Sequence, residues 1–127
     1  MATKRVLIVE DNFDNRTIYS VLLQHAGYVV IQAPDGEEGV RLARSERPDV
    51  ILMDLSMPVL DGWGALERLK AEPSTANIPV FALSAHVLFE GDFEHALQAG
   101  FTGYFTKPVE PKRVLEELQL RIGPPES

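Results

Sequence analysis

The stretch Val50-Ile51-Leu52-Met53-Asp54-Leu55-Ser56-Met57-Pro58 decides the fold of this chain. Four apolar residues in succession are typical of a strand that is buried on both faces of a parallel sheet. The run ends at Asp54, and a lone carboxylate is costly to bury. We therefore expect Asp54 at the carboxyl end of the strand, on a rigid tip facing solvent. An open α/β sheet has its crevice at this end, and there Asp54 can meet a cation or a reactive ligand. Met57-Pro58 then stops the strand pairing and forces a loop.

Length and composition exclude several classes of protein and of site. The 127 residues are enough for one domain and too few for two. The chain has no cysteine, which excludes disulfides, thiolate nucleophiles and cysteine metal sites. Twelve basic and nineteen acidic residues give a net charge of −7, which disfavours nucleic acids and membrane surfaces as direct partners. No signal peptide is evident, and no apolar run approaches the roughly 20 residues of a membrane helix, so we expect a soluble, cytoplasmic protein.

Five apolar runs predict strands, and helical patterns separate them. The strands are predicted at residues 4–9, 28–33, 50–53, 78–83 and 103–106. Helices are predicted over residues 12–26, from Asp35 to before Pro48, from Asp61-Gly62 to before Pro73, around Phe93 to Gly100, and from Glu110-Pro111 to Ile122. This alternation predicts a doubly wound parallel sheet with helices on both faces and right-handed crossovers.

Apolar spacing also predicts the buried side of each helix. The inward residues of the first helix are expected to be Ile18, Val21, Leu22 and Ala26. Those of the fourth helix are expected to be Phe93, Ala96 and Leu97. Because Gly91 and the apolar residues 87–89 weaken the start of the fourth helix, we expect that start to be mobile.

Chemically active side chains follow four of the five predicted strands. They are Glu10 and Asp11, Asp54, Ser84 and Lys107. The carboxyl ends of parallel strands lie at one edge of the sheet, so we expect these groups to converge there. Each residue alone has an ordinary explanation, such as a helix start for Glu10-Asp11 or a solvated lysine for Lys107. Their coincidence at strand ends is what favours a functional site.

The convergent groups favour phosphoryl chemistry. Three carboxylates in close proximity repel one another, and a divalent cation relieves that repulsion. Oxygen ligands without histidine or cysteine favour Mg²⁺ or Mn²⁺, and a Mg²⁺ site with few protein ligands can accept phosphoryl oxygens. Lys107 and Ser84 are suited to bind the same oxygens. We therefore expect Asp54 to be a nucleophile that forms an aspartyl phosphate.

With these motifs in place, the chain resembles the receiver domain of two-component response regulators over about residues 5–122. The motifs that carry the resemblance are Glu10-Asp11-Asn12, the Asp54 loop with Met57-Pro58 and Asp61-Gly62, Ser84-Ala85, Gly103-Tyr104 and Lys107-Pro108. The resemblance implies a flavodoxin-like (βα)5 fold for a receiver domain of residues 1–123, with residues 124–127 as a short tail.

The resemblance also implies a role for each matched position. Asp54 would accept a phosphoryl group from a histidine kinase or phosphotransfer protein. Mg²⁺ would be held by Glu10, Asp11, Asp54 and the backbone carbonyl of Ser56. Lys107 would bind the phosphoryl group and precede a cis peptide bond, which proline at position 108 tolerates.

Regulation is implied in the same way. Ser84 and Tyr104 would form the switch pair, and Ser56 and His86 would tune self-dephosphorylation. A downstream protein target would bind the face formed by the fourth helix, fifth strand and fifth helix. About five residues follow the last predicted helix, so we expect output through binding. We also expect a monomer before phosphorylation and no catalysis beyond the protein's own phosphorylation and dephosphorylation.

Three alternatives depend on specific residues. A haloacid-dehalogenase-like phosphatase needs a second acid two residues after its nucleophile, where this chain has Ser56. A nucleotide- or flavin-binding module would need a glycine-rich phosphate loop after the first strand, where this chain has Glu10-Asp11-Asn12. A phosphorylation-independent interaction domain would keep the fold but would not require the intact set of site residues.

Overall fold

The computed structural model describes residues 3–84 and 92–126. Its five parallel strands are β1 (Arg5–Val9), β2 (Val29–Ala33), β3 (Val50–Asp54), β4 (Val80–Ser84) and β5 (Gly103–Thr106). They form one sheet in the order β2-β1-β3-β4-β5, so β3 is the central strand. The helices between and after them are α1 (Phe13–His25), α2 (Gly36–Glu46), α3 (Gly62–Ala71), α4 (Asp92–Ala99) and α5 (Pro111–Ile122). The predicted doubly wound (βα)5 fold is confirmed.

The central strand separates two apolar cores. Every residue of β3 is buried, because helices cover both faces of the sheet. Ile51 and Met53 point into the core shared with α2, α3 and α4, whereas Val50 and Leu52 point into the core shared with α1 and α5. This alternation is the two-residue period of a strand, and it leaves the carboxyl end of β3 as the point where a polar side chain can leave the core.

Side-chain caps fix the starts of three helices close to the ends of the strands. Asn12, Asp35 and Asp61 each accept a hydrogen bond from the backbone amide three residues ahead. Such caps satisfy amides that the first helical turn leaves without partners. The start of α3 also packs directly on the Asp54 loop, since a Cβ at Gly62 would lie 2.5 Å from the carbonyl oxygen of Asp54. The strand ends and the helix starts therefore form one rigid edge.

The predicted inward face of α1 is partly wrong. The helix buries Tyr19 and Leu23, while the side chains of Ile18 and Val21 are 50% and 58% exposed. Tyr19 and Leu23 are four residues apart and so lie on one face of the helix, which packs against the core shared with α5. Leu97 of α4 is likewise exposed, although Ala96 is fully buried as predicted. The segment 87–91, where a mobile helix start was predicted, lies outside the described residues.

Two further sets of contacts lie away from the carboxyl ends of the strands. The ring of Trp63 on α3 lies 4.9 Å from that of His95 on α4 and 5.4 Å from that of Phe101. At the opposite edge of the sheet, the segment predicted as a tail is packed, because the backbone amide of Lys4 donates to the carbonyl of Pro125. Across residues 3–84 and 92–126, no helix combines the length and apolar character that a membrane crossing requires.

Candidate functional site

Asp54 is the last residue of β3, and its side chain is held by two donors. Its Oδ1 accepts a hydrogen bond of 2.9 Å from the backbone amide of Ser56, and its Oδ2 accepts one of 2.8 Å from Nζ of Lys107. Asp54 is only 3% exposed, so the expectation that it faces solvent is wrong. Lys107 follows the end of β5 and brings its Nζ to this carboxylate. The charge is tolerated because both oxygens have donors.

Glu10 and Asp11 lie beside Asp54 because β1 and β3 are parallel neighbours, with Val9 opposite Met53. Glu10 is fully buried, and its Oε1 accepts hydrogen bonds from Lys107 Nζ at 2.9 Å and from Asn15 Nδ2 at 3.1 Å. Asp11 is exposed. Carboxylate oxygens of Glu10, Asp11 and Asp54 lie within 4.8 Å of one another, so the predicted convergence of the three acids is found.

The environment of Glu10 shifts its protonation. The pKa of Glu10 is raised to about 7, mainly by burial. The neighbouring Asp54 also raises it, while Lys107 opposes the rise. For Lys107, burial by itself would lower the pKa, but the hydrogen bonds and negative charges of Asp54 and Glu10 outweigh burial and raise it. Lys107 is therefore held as a cation, and the raised pKa of Glu10 favours its protonated form in the absence of a further cation.

The acid cluster fits a divalent cation. Among the described residues, Glu10 Oε2 is a buried side-chain oxygen without a hydrogen-bond partner. A buried carboxylate oxygen left unpaired is costly unless a cation or a donor satisfies it. The set of oxygen donors, with exposed Asp11 at its rim, matches the ligand preference of Mg²⁺. Glu10, Asp11 and Asp54 would supply the protein oxygens.

Ser84 lies on β4, the neighbour of β3 on the side away from Glu10, and Tyr104 lies on β5, the next strand out. Ser84 ends β4 opposite Thr106, and its carbonyl accepts a 2.6 Å hydrogen bond from the amide of Lys107. Tyr104 is half-buried against the core shared with α2, α3 and α4. The peptide bond between Lys107 and Pro108 is cis, as the resemblance implies. Backbone pairing thus links the Ser84 strand end directly to Lys107.

The two positions predicted to tune dephosphorylation are Ser56 and His86. Ser56 is exposed and follows Asp54 by two residues, so it borders the carboxylate. His86 lies in the segment 85–91, outside the described residues.

Sequence reasoning missed two residues of α1 that contact Glu10. Asn15 donates to its carboxylate, and Arg16 Nη1 donates to its backbone carbonyl at 2.8 Å. The only available signal was position, since both residues lie in the first turns of the helix that follows the acid pair. Polar residues are common there for capping reasons alone, so the pattern did not distinguish them.

Comparisons with known proteins agree with this site. The family described as the response regulator receiver domain matches residues 6–119. The polar-differentiation response regulator DivK of Brucella anthropi is 37% identical over 120 residues, which cover 94% of this chain and 97% of DivK. The chemotaxis response regulator CheY4 of Vibrio cholerae is 32% identical, with a TM-score of 0.86 over 94% of this chain and 98% of CheY4.

A further solved structure of similar fold contains a metal ion. It is the receiver domain of the sensor histidine kinase PA1611 from Pseudomonas aeruginosa PAO1, with a magnesium ion coordinated in its active site cleft. It is 40% identical to this chain, with a TM-score of 0.85 over 96% of this chain and 99% of that domain. The chain, with its acid cluster and lysine at the carboxyl edge of a five-stranded parallel sheet, belongs to the response regulator receiver domain family.

Proposed function

We propose that this protein is a phosphorylation-controlled switch in which Asp54 is the phosphoacceptor. An oxygen of Asp54 forms a bond to the phosphorus of a phosphohistidine on a histidine kinase or phosphotransfer protein. The bond between phosphorus and the imidazole nitrogen breaks, its electron pair stays on that nitrogen, and the imidazole takes up a proton. The protein would act on no substrate other than its own phosphoryl group.

The observation that carries this proposal is the position of Lys107 Nζ, which bridges Asp54 Oδ2 at 2.8 Å and Glu10 Oε1 at 2.9 Å. A cation in this position can move from the carboxylates to the oxygens of an incoming phosphoryl group. Mg²⁺ bound by Glu10, Asp11, Asp54 and the carbonyl of Ser56 would neutralise the remaining negative charge during transfer. A haloacid-dehalogenase-like reaction is not favoured, because the side chain two residues after Asp54 is the hydroxyl of Ser56.

The output of the switch is proposed to pass through β5 and the helices beside it. Ser84 would bind the phosphoryl group by its hydroxyl, and Tyr104 would turn further inward behind it. A groove of about 470 Å³ lies against this region and would accept part of the downstream target. Its lining includes Tyr104, Thr106, Val109 and Arg113.

The phosphodonor is proposed to dock along α1 and the start of α5. Two adjoining hollows of about 420 and 540 Å³ share Ile18 and Pro111 in their linings. The first also includes Lys107, so the apolar surface is continuous with the site. The exposure of Ile18 and Val21, which is unfavourable in a free protein, is explained if the apolar face of a histidine-bearing helix covers them.

Phosphorylation by a small donor tests the central claim. The protein is incubated with acetyl phosphate and Mg²⁺, and its intact mass is measured. We expect one phosphoryl adduct on the wild type and on Asp14→Asn, an exposed acid of α1 that serves as a matched control. We expect none on Asp54→Asn. An adduct that survives Asp54→Asn contradicts the assignment.

A comparison of two donors tests the docking surface. Val21→Ser should slow transfer from a cognate phosphorylated histidine protein by about tenfold, because it removes apolar area from the surface. Phosphorylation by acetyl phosphate should be unchanged, since that donor needs no such surface. Equal rates of protein-to-protein transfer for wild type and variant would remove α1 from the proposed interface.

A further inference from the structure

The two carboxylate oxygens of Glu10 have different surroundings. Oε1 accepts hydrogen bonds from Lys107 Nζ at 2.9 Å and Asn15 Nδ2 at 3.1 Å. Oε2 is buried and has no hydrogen-bond partner among the described residues. A carboxylate can rotate about its last side-chain bond, so its orientation depends on the donors that hold one oxygen. Here the two donors on Oε1 leave Oε2 available to a metal ion.

The two donors differ in how permanently they hold Oε1. Lys107 is shared with Asp54, and under the proposed function it moves toward the phosphoryl oxygens when Asp54 reacts. Asn15 lies in the first turn of α1, and its backbone amide donates to the N-cap Asn12 at 2.9 Å. Arg16, the next residue, fixes the same turn to the carbonyl of Glu10 at 2.8 Å. Asn15 is therefore anchored to the backbone around Glu10 and does not depend on Lys107.

We infer that Asn15 is a positioning residue that orients the Glu10 carboxylate for metal binding, an inference that rests on the proposed function. Its amide is neutral, so it holds Oε1 without competing with a cation for the site. When Lys107 leaves Glu10, Asn15 still holds Oε1 and so keeps the carboxylate in the orientation that leaves Oε2 available. Groups that hydrogen-bond to metal ligands in this way typically change metal affinity by about 10–100-fold when they are removed.

Isothermal titration with Mg²⁺ tests the inference without relying on phosphorylation. Asn15→Leu removes the hydrogen-bond donor and keeps a side chain of similar size. Asn15→Ala removes the donor and introduces a residue with high helix propensity. Asn15→Gln retains a side-chain amide. Gln24→Leu is the matched control, because it replaces an exposed amide side chain on the same helix. We expect the Kd for Mg²⁺ to rise about tenfold or more in Asn15→Leu and Asn15→Ala. We expect a smaller rise in Asn15→Gln and no change in Gln24→Leu.

A second measurement separates orientation of the ligand from damage to the fold. The initial rate of phosphorylation by acetyl phosphate should fall in Asn15→Ala at low Mg²⁺ and return to the wild-type rate at saturating Mg²⁺. A rate that stays low at saturating Mg²⁺, or Mg²⁺ affinities of Asn15→Leu and Asn15→Ala within twofold of wild type, would overturn the role of Asn15. If the wild type itself neither binds Mg²⁺ nor accepts a phosphoryl group, the proposed function fails, and that result is distinct from a failure confined to the Asn15 variants.

Discussion

Two groups of ion pairs in this protein use similar residues in opposite environments. At the carboxyl edge of the sheet, Lys107 bridges Glu10 and Asp54, whose side chains are 0% and 5% exposed. On the surface, Arg44 pairs with Glu72 and Arg68 with Glu37 between α2 and α3, and these side chains are 35–50% exposed. Burying charge costs free energy that a surface pair does not lose, while solvent weakens the surface pairs. The buried group is therefore consistent with the proposed chemistry, whereas the surface pairs give modest support to helix packing.

Removal of the shared cation should have the largest effect on stability. Lys107→Met leaves Glu10 and Asp54 buried without their common partner, and we expect a loss of about 3 kcal/mol in the free energy of unfolding in EDTA at pH 8. Urea denaturation measures this loss, and Lys112→Met, which exchanges an exposed lysine of α5, is the control. Added Mg²⁺ should reduce the loss, because it replaces the missing positive charge. A loss as small as that in the control would show that the buried cluster contributes no more to the free energy of unfolding than the surface pairs do.

The exposed acid of the cluster should behave oppositely to Lys107. Asp11→Ala removes one of three mutually repelling carboxylates, so we expect the metal-free protein to gain about 0.5–1 kcal/mol. The same change removes a metal ligand, and the Kd for Mg²⁺ should rise by about two orders of magnitude. Thermal unfolding in EDTA and titration with Mg²⁺ measure the two effects. Unchanged Mg²⁺ affinity would exclude Asp11 from the metal site.

The pKa of Glu10 predicts that the stability of the buried cluster depends on pH. The pKa is raised from an ordinary value of 4.5 to about 7 in the folded protein, so between these values the folded state binds more protons than the unfolded state. The contribution of Glu10 to stability is therefore present below pH 4.5 and is lost as the pH rises to about 7, with a slope of at most about 1.4 kcal/mol per pH unit.

Urea denaturation in EDTA from pH 5 to 8 measures this dependence. Glu10→Gln cannot titrate, so the difference in stability between wild type and variant should change with pH in the direction given above. Mg²⁺ favours the ionised carboxylate and should shift the change to lower pH. Parallel curves for the two proteins would contradict the raised pKa.

The smallest effect is expected for the surface pairs. A double-mutant cycle with Arg44→Gln and Glu72→Gln should give a coupling free energy of about 0.5 kcal/mol, and 1 M salt should remove most of it. Urea denaturation is again the measurement. A coupling above about 2 kcal/mol would show that the exposure of these side chains does not decide their contribution.

Much of the fold and of the acid site could be predicted because the signals are local. The apolar run that ends at Asp54 identifies a buried strand, and the parallel arrangement then implies that the acids after β1 and β3 meet. The buried state of Asp54 was not predictable in the same way. Its donor Lys107 is 53 residues away and contributes a side chain whose conformation no local pattern determines.

The errors on the helices have a related cause. In α1, two overlapping sets of apolar residues satisfy helical spacing, and the amphipathic Tyr19 was not counted with the core. Packing against α5 selects the face with Tyr19 and Leu23 and leaves Ile18 exposed. Asn15 was missed because a hydrogen bond to Glu10 has no signature beyond a polar residue in the first helical turn.

The contact between Trp63 and His95 gives this protein an internal fluorescent probe. Trp63 is the only tryptophan in the chain, and its ring contacts His95, which is carried by α4. Indole emission responds to the distance and charge of a neighbouring imidazole, so the fluorescence of the unlabelled protein follows the position of α4 relative to α3. Stopped-flow mixing with a phosphodonor would therefore show, without any attached dye, whether and when the proposed switch moves this helix.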